Sequence, residues 1–231
     1  MHYCGVEVGP GAHYLCVLQE VRTDEPPVRL EARFYEPGGA SAVVARIGAL
    51  GDVVVAVAAP LTPSAHGRER RTCDHALRHI GVAPLPHGPD EQSLRRELAP
   101  LGLYVPDGDG REGNVRGVAF ETMRVFETNV EAVFCALENR RLPAKRHPLG
   151  VQRRIQDLLD NQVIDEGGDL WHRRIEEIEA AAAAVCAHRY AVGLARWLGD
   201  PEEGVVVLPG TGPVHQFTTE GVLPPVTRVP L

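Results

Sequence analysis

Apolar positions in the first third of the chain fall in runs of strand length. Residues 3–8 (YCGVEV) and 13–21 flank Gly9-Pro10-Gly11, a turn signal between segments rich in β-branched residues, and predict two strands joined by a short turn. Residues 28–35 predict a third strand, followed by Pro37-Gly38-Gly39 and a helix over 41–50. The run DVVVAVAA at 52–59 is almost unbroken, the pattern of a central strand covered on both faces. Beyond it, helices are predicted over 68–80, 90–101, 130–141 and 149–159, with a proline-rich loop at 82–89. A glycine-rich surface loop is expected at 105–117 and a strand at 123–127. The longest helical pattern covers 170–198, and 205–208 reads as a last edge strand. From Pro209 onward five prolines and no periodicity predict an extended tail. The expected organisation is one domain over 1–208 and a proline-rich extension over 209–231. Strands first, then strands alternating with helices, point to α/β layering.

Composition adds boundaries to this picture. The chain has 231 residues, 44% apolar and 24% charged, enough for a substantial core without disulfides or structural metals. A net charge of −7 argues against a protein dedicated to coating DNA. No apolar run reaches the roughly 20 residues of a membrane span, and no basic segment leads into an apolar one at the N-terminus, so no membrane association is expected. Five cysteines at 4, 16, 73, 135 and 186 make no disulfide framework, and four of them sit among apolar neighbours. A cytoplasmic, thiol-state protein is expected. Of the 24 basic residues, Lys145 is the single lysine, a bias that a GC-rich coding sequence accounts for.

Candidate chemistry lies with acids in awkward places. Glu7 sits near the end of a small, apolar strand, where an ionised carboxylate needs a compensating partner. Glu127 stands at the carboxyl end of a predicted strand, the end at which α/β sheets build sites. In the long helix, Trp171, Ile175, Ile178, Ala182 and Val185 form an apolar stripe; Glu179 falls within its edge, Glu176 at its margin, and Glu177 away from it. Glu131, three residues after Thr128, has the spacing of a helix capping box. Carboxylates from a first strand, a later strand end and a C-terminal helix can together hold Mg²⁺ or Mn²⁺ and support phosphoryl transfer.

The stretches GVEVGPG (5–11), AAPLTPSAHGRERRTCDHALR (58–78), FETNVEAVFCAL (126–137), KRHPLGVQRR (145–154) and EEIEAAAAAVCAHRYA (176–191) resemble an uncharacterised family of predicted nucleases, a domain of unknown function, in the ribonuclease H-like superfamily. The resemblance spans roughly residues 3–208 and implies a five-stranded mixed sheet flanked by helices, with a long C-terminal helix. It implies acids on the first strand, the central strand and the last helix; on the nuclease expectation Glu7, Glu127 and Glu179 are the catalytic metal ligands, and Glu176 is a further ligand or an acid behind them. This chain departs from the family pattern at three points. Glu7 replaces an aspartate, Ala58-Ala59-Pro60 replaces Asp-Ala-Pro, and Glu176-x-x-Glu179-Ala180 replaces D-x-x-D-A. The first expectation is a divalent-metal-dependent nuclease or phosphodiesterase, a hydrolase using Mg²⁺ or Mn²⁺ on nucleic acid, with a homodimer plausible. The second is a catalytically degenerate member that serves as a binding or structural subunit. An actin-like sugar kinase shares the first hairpin but needs a duplicated domain that this length does not supply. Arg68 and Arg71 are candidate phosphate contacts, set against a solvated helix start. His75 and His79 have zinc-like spacing without a third ligand, and Gly210 and Gly212 lack the lysine of a phosphate loop.

Overall fold

The computed structural model describes residues 1–9, 11–21, 28–61, 70–85, 89–98, 125–200, 203–219 and 221–222. The strands are β1 (His2–Gly9), β2 (Ala12–Val21), β3 (Arg29–Phe34), β4 (Val53–Ala58), β5 (Val125–Thr128), β6 (Val163–Asp165), β7 (Ala195–Asp200) and β8 (Gly204–Pro209). They form one sheet in the order β6-β3-β2-β1-β4-β5-β8-β7. Strand β2 pairs antiparallel with both β1 and β3, whereas β1-β4, β4-β5, β5-β8 and β3-β6 are parallel. The mixed α/β sheet is as expected, but among the described residues it has eight strands where the resemblance implies five. Beyond the strands read from the sequence, the sheet gains β6 at one end and β7, antiparallel to β8, at the other. The 205–208 run therefore lies inside the sheet, between β5 and β7, and is not an edge.

Helices α1 (Ala40–Gly48) and α3 (Pro89–Leu98) cover one face, where Val43, Ile47, Leu94 and Leu98 pack on Val6, Val55 and Val57. The opposite face carries α4 (Val130–Glu138), α5 (Pro148–Asp160) and α6 (Ile175–Ala191). Helix α2 (Thr72–His79) packs on β7 and β8. Helix α6 lies over β1, β2 and β4 and is covered in turn by α4 and α5, so it is buried nearly all round from Ile178 to Ala191. Five successive alanines, Ala180–Ala184, let it lie close to the sheet. A Cβ placed on Gly5 of β1 would stand 2.0 Å from the Ala180 carbonyl oxygen and 2.2 Å from the Ala184 nitrogen, so this crossing requires glycine.

The helix predicted over 170–198 is three elements. A 3₁₀ turn at Leu170–His172 precedes α6, and the segment after Gly193 is β7. The stop is chemical: Gly193 has φ +73°, its N–H bonds to the Tyr190 carbonyl, and the Leu194 N–H bonds to the Arg189 carbonyl. This double closure caps helices through a left-handed glycine. Trp171, assigned to the apolar stripe, is exposed. The N-cap of α4 is Asn129, whose side chain accepts from the Ala132 N–H, and Glu131 instead pairs with Arg154. Beyond Pro209 the chain stays attached: Phe217 is buried, its N–H bonds to the Ile80 carbonyl, and strands β9 (Phe217–Thr218) and β10 (Gly221–Val222) pair. The expected loop at 105–117 and residues 223–231 lie outside the described residues. Among the described residues no helix is long and apolar enough to cross a membrane, and the five cysteines are free thiols in buried positions.

Candidate metal centre

Helix α6 runs antiparallel to β1. Tyr3 meets His188 edge-on at 4.9 Å, Gly5 lies under Ala180 and Ala184, and Glu7 feels the charges of Glu179 and Glu176. The carboxyl end of β1 is thereby brought beside the first turns of α6, where the helix N-terminus also favours negative charge. Glu7 is only 7% exposed, and its buried Oε2 has no hydrogen-bond partner among the described residues. Burial pushes its carboxyl well above the ordinary range, the charge of Glu179 pushes it further, and Lys145 acts against both. Across the ladder, Glu7 stands opposite Ala58 of β4, so no second strand acid joins it there.

Glu179 is 1% exposed and receives the Lys145 ammonium, with Nζ 2.9 Å from both Oε1 and Oε2. Burial raises its carboxyl, and Lys145 partly offsets that. Lys145 comes from the connection between α4 and α5, which is fastened on both sides. The Arg154 guanidinium donates to the Pro143 and Gly150 carbonyls at 3.0 Å, and the His147 N–H donates to the Ala144 carbonyl. A Cβ on Gly150 would meet the Ala144 carbonyl oxygen at 2.1 Å, so helix and loop touch backbone to backbone. Sequence reasoning did not place Lys145 in the site. The available signal was its being the only lysine in an otherwise all-arginine set.

Glu127 belongs elsewhere. Residues paired across a parallel ladder share a face, and successive residues of a strand alternate. Glu7 pairs with Ala58, whereas Glu127 pairs with Val57, so the two glutamates project from opposite faces of the sheet. On its own face Glu127 takes both terminal nitrogens of Arg71, at 2.6 and 2.7 Å, and the Leu61 N–H at 2.9 Å. Arg71 is fully buried and also grips Asp74 through Nε and Nη2, at 3.2 and 3.0 Å. Burial pushes the Glu127 carboxyl up, while Arg71 and the Leu61 N–H oppose it. Arg71 thus ties β5 to the start of α2, and its guanidinium does not face solvent. Arg68 lies outside the described residues.

The expected four-acid cluster is therefore split: Glu7, Glu179 and Glu176 share one electrostatic neighbourhood, and Glu127 does not enter it. Among the described residues no three His, Cys, Asp or Glu side chains form a metal-binding set. What fits a hard divalent cation is the pair Glu7 and Glu179. Both supply carboxylate oxygen, one buried oxygen of Glu7 lacks a partner, and repulsion between the two is only partly balanced by Lys145.

No protein-family model matches this chain. A comparison with curated proteins likewise yields no match. Among solved structures, "Thermus thermophilus RuvC structure" aligns with a TM-score of 0.40 and 16% identity, over 83% of this chain and 95% of that one.

Proposed function

We propose that this chain is a ribonuclease H-like, divalent-metal-dependent nuclease or phosphodiesterase whose ion is held by Glu7 and Glu179, with Glu176 at the margin. The observation that carries this reading is the buried, unpartnered Oε2 of Glu7 set against a second buried carboxylate. Bound Mg²⁺ or Mn²⁺ would polarise a phosphoryl oxygen and acidify water. The chain's own contribution is position and charge: Gly5 and the alanines of α6 fix the two carboxylates against each other, and Lys145 partly balances them when no ion is present. Glu127 has a structural part in this reading, joining β5 to α2 through Arg71. The substrate class is nucleic acid, DNA or RNA.

A non-cleaving member of the same fold, acting as a binding or structural subunit, is the second reading. It is favoured by Lys145 bonding both oxygens of Glu179 and by Ala58 standing opposite Glu7. Calorimetric titration with Mn²⁺ separates the two. Saturable binding that Glu7→Gln and Glu179→Gln each weaken at least about tenfold, roughly 1.4 kcal/mol, supports the metal-dependent enzyme. Wild-type protein that takes up no Mn²⁺ leaves the non-cleaving reading.

A further inference from the structure

The connection that carries Lys145 begins with a second basic feature, distant in kind from the acid pair. A groove of about 360 Å³ is lined by Glu138, Arg140, Arg141, Leu149, Arg153 and Thr219. It sits where the end of α4, the start of α5 and the segment after Phe217 converge, and the Arg141 N–H fastens that segment by donating to the Thr218 carbonyl at 2.8 Å. Arg140 is spent on Glu138, with Nε and Nη2 at 2.9 and 2.8 Å from Oε2. Arg141 and Arg153 are exposed and have no ion-pair partner among the described residues. Three guanidiniums thus face one carboxylate.

The wall beneath does not cancel that excess. Asp157 of α5 is 3% exposed and hydrogen-bonded to Glu138. Burial, then the Glu138 carboxylate, push its carboxyl up to about 9, so at neutral pH it keeps its proton, donates a hydrogen bond to Glu138 and adds no charge. In a molecule of net charge −7, a groove with a surplus of two guanidiniums is a local reversal of sign. Guanidiniums recognise phosphate by paired N–H donors, and Leu149, 46% exposed at the rim, supplies apolar surface for a sugar.

We infer that this groove binds the phosphodiester backbone of a single nucleic-acid strand through Arg141 and Arg153. The choice of a polymer over a small phosphate rests on the reading of the acid pair as a nuclease centre; the charge and shape of the groove do not depend on it.

The test is fluorescence anisotropy of a labelled single-stranded oligonucleotide, in DNA and RNA forms, with the full chain in EDTA. Metal is then absent from every arm, so failure of the metal centre leaves the measurement intact. Each phosphate contact on a single strand contributes about 0.7 to the slope of log affinity against log salt. Replacing both arginines in Arg141→Ala/Arg153→Ala therefore lowers the slope by about 1.4 and weakens binding about 25-fold at roughly 0.1 M salt. Arg96→Ala, an exposed arginine on α3 at the other face, leaves the affinity unchanged. Wild-type protein that binds neither oligonucleotide overturns the inference, as does equal loss in Arg96→Ala or no loss in the double variant. Inorganic phosphate that displaces the strand at equal concentration also overturns it, in favour of a small-phosphate site.

Discussion

Lys145 holds the balance of the acid pair at the scale of single atoms. Its ammonium is 2.9 Å from both oxygens of Glu179, yet its side chain is 44% exposed while that of Glu179 is 2% exposed. The carboxylate therefore needs the lysine more than the lysine needs the carboxylate. Removing the ammonium leaves Glu179 buried beside Glu7 with no cation at bonding distance, which costs about 1–3 kcal/mol in the metal-free protein. The same change takes away a competitor for a divalent ion. Lys145→Ala accordingly lowers the apo Tm and enlarges the rise in Tm on adding Mn²⁺, since a ligand stabilises in proportion to its affinity for the folded state. Thermal denaturation with and without Mn²⁺ checks both parts; a lower apo Tm with no larger Mn²⁺ response would mean that lysine and ion do not share Glu179. Arg71 represents the opposite case, a cation as buried as the two acids it holds, with no oxygen of Glu127 left unbonded. An apolar strand, a strand end and the apolar stripe of a helix singled out Glu7, Glu127 and Glu179 from the sequence with nothing to rank them. Pairing separates them: one has an orphaned oxygen, one a bidentate arginine, one a half-exposed lysine.

Between elements, the contact of α6 with β1 decides where the acids stand. Gly5→Ala drives a methyl group into the backbone of Ala180 and Ala184, and backbone cannot rotate aside as a side chain can. The expected loss is at least about 3 kcal/mol, measured by urea denaturation, and Mn²⁺ binding weakens with it because Glu7 follows Gly5 on the same face of the strand. Gly5→Ala with wild-type stability would mean that α6 does not lie on this strand. The crossing was only half legible in the sequence. The alanine run and the glycine in a strand were visible, but a helix buried on all sides has no periodic stripe, and so Trp171 was drawn into one. The end of α6 was readable, since Gly193 is a helix stop; strength of pattern on either side obscured it. The short β6 has three residues, too few for alternation to register. Register was not legible at all. A shift of one residue between β4 and β5 moves Glu127 to the other face, and nothing local in either strand encodes that shift.

Across the whole molecule, charge is distributed so that alkaline pH works against the fold. Asp157 is the clearest contributor. It faces Glu138 from α4, with Asp160 and Arg154 of its own helix nearby. In the unfolded chain an aspartate ionises near about 3.9, whereas the folded protein keeps Asp157 protonated up to about 9. Between those values the folded state binds one more proton than the unfolded state, and stability falls as pH rises through that window. Glu138 has the reverse sign: the hydrogen bond donated by Asp157 holds its carboxyl below the ordinary range, so its contribution is lost as pH falls through that depressed value. Glu7, raised by burial and by Glu179, adds to the alkaline loss. The chain is therefore expected to be more stable at pH 5 than at pH 8. Asp157→Asn retains a donor for Glu138 but cannot ionise, so it removes one proton from the difference and flattens the slope. Its Tm exceeds that of the wild type at pH 8 by more than it does at pH 5. Parallel pH profiles for the two proteins would show instead that Asp157 is ionised in the fold, and the groove above it would then have a surplus of one guanidinium, not two.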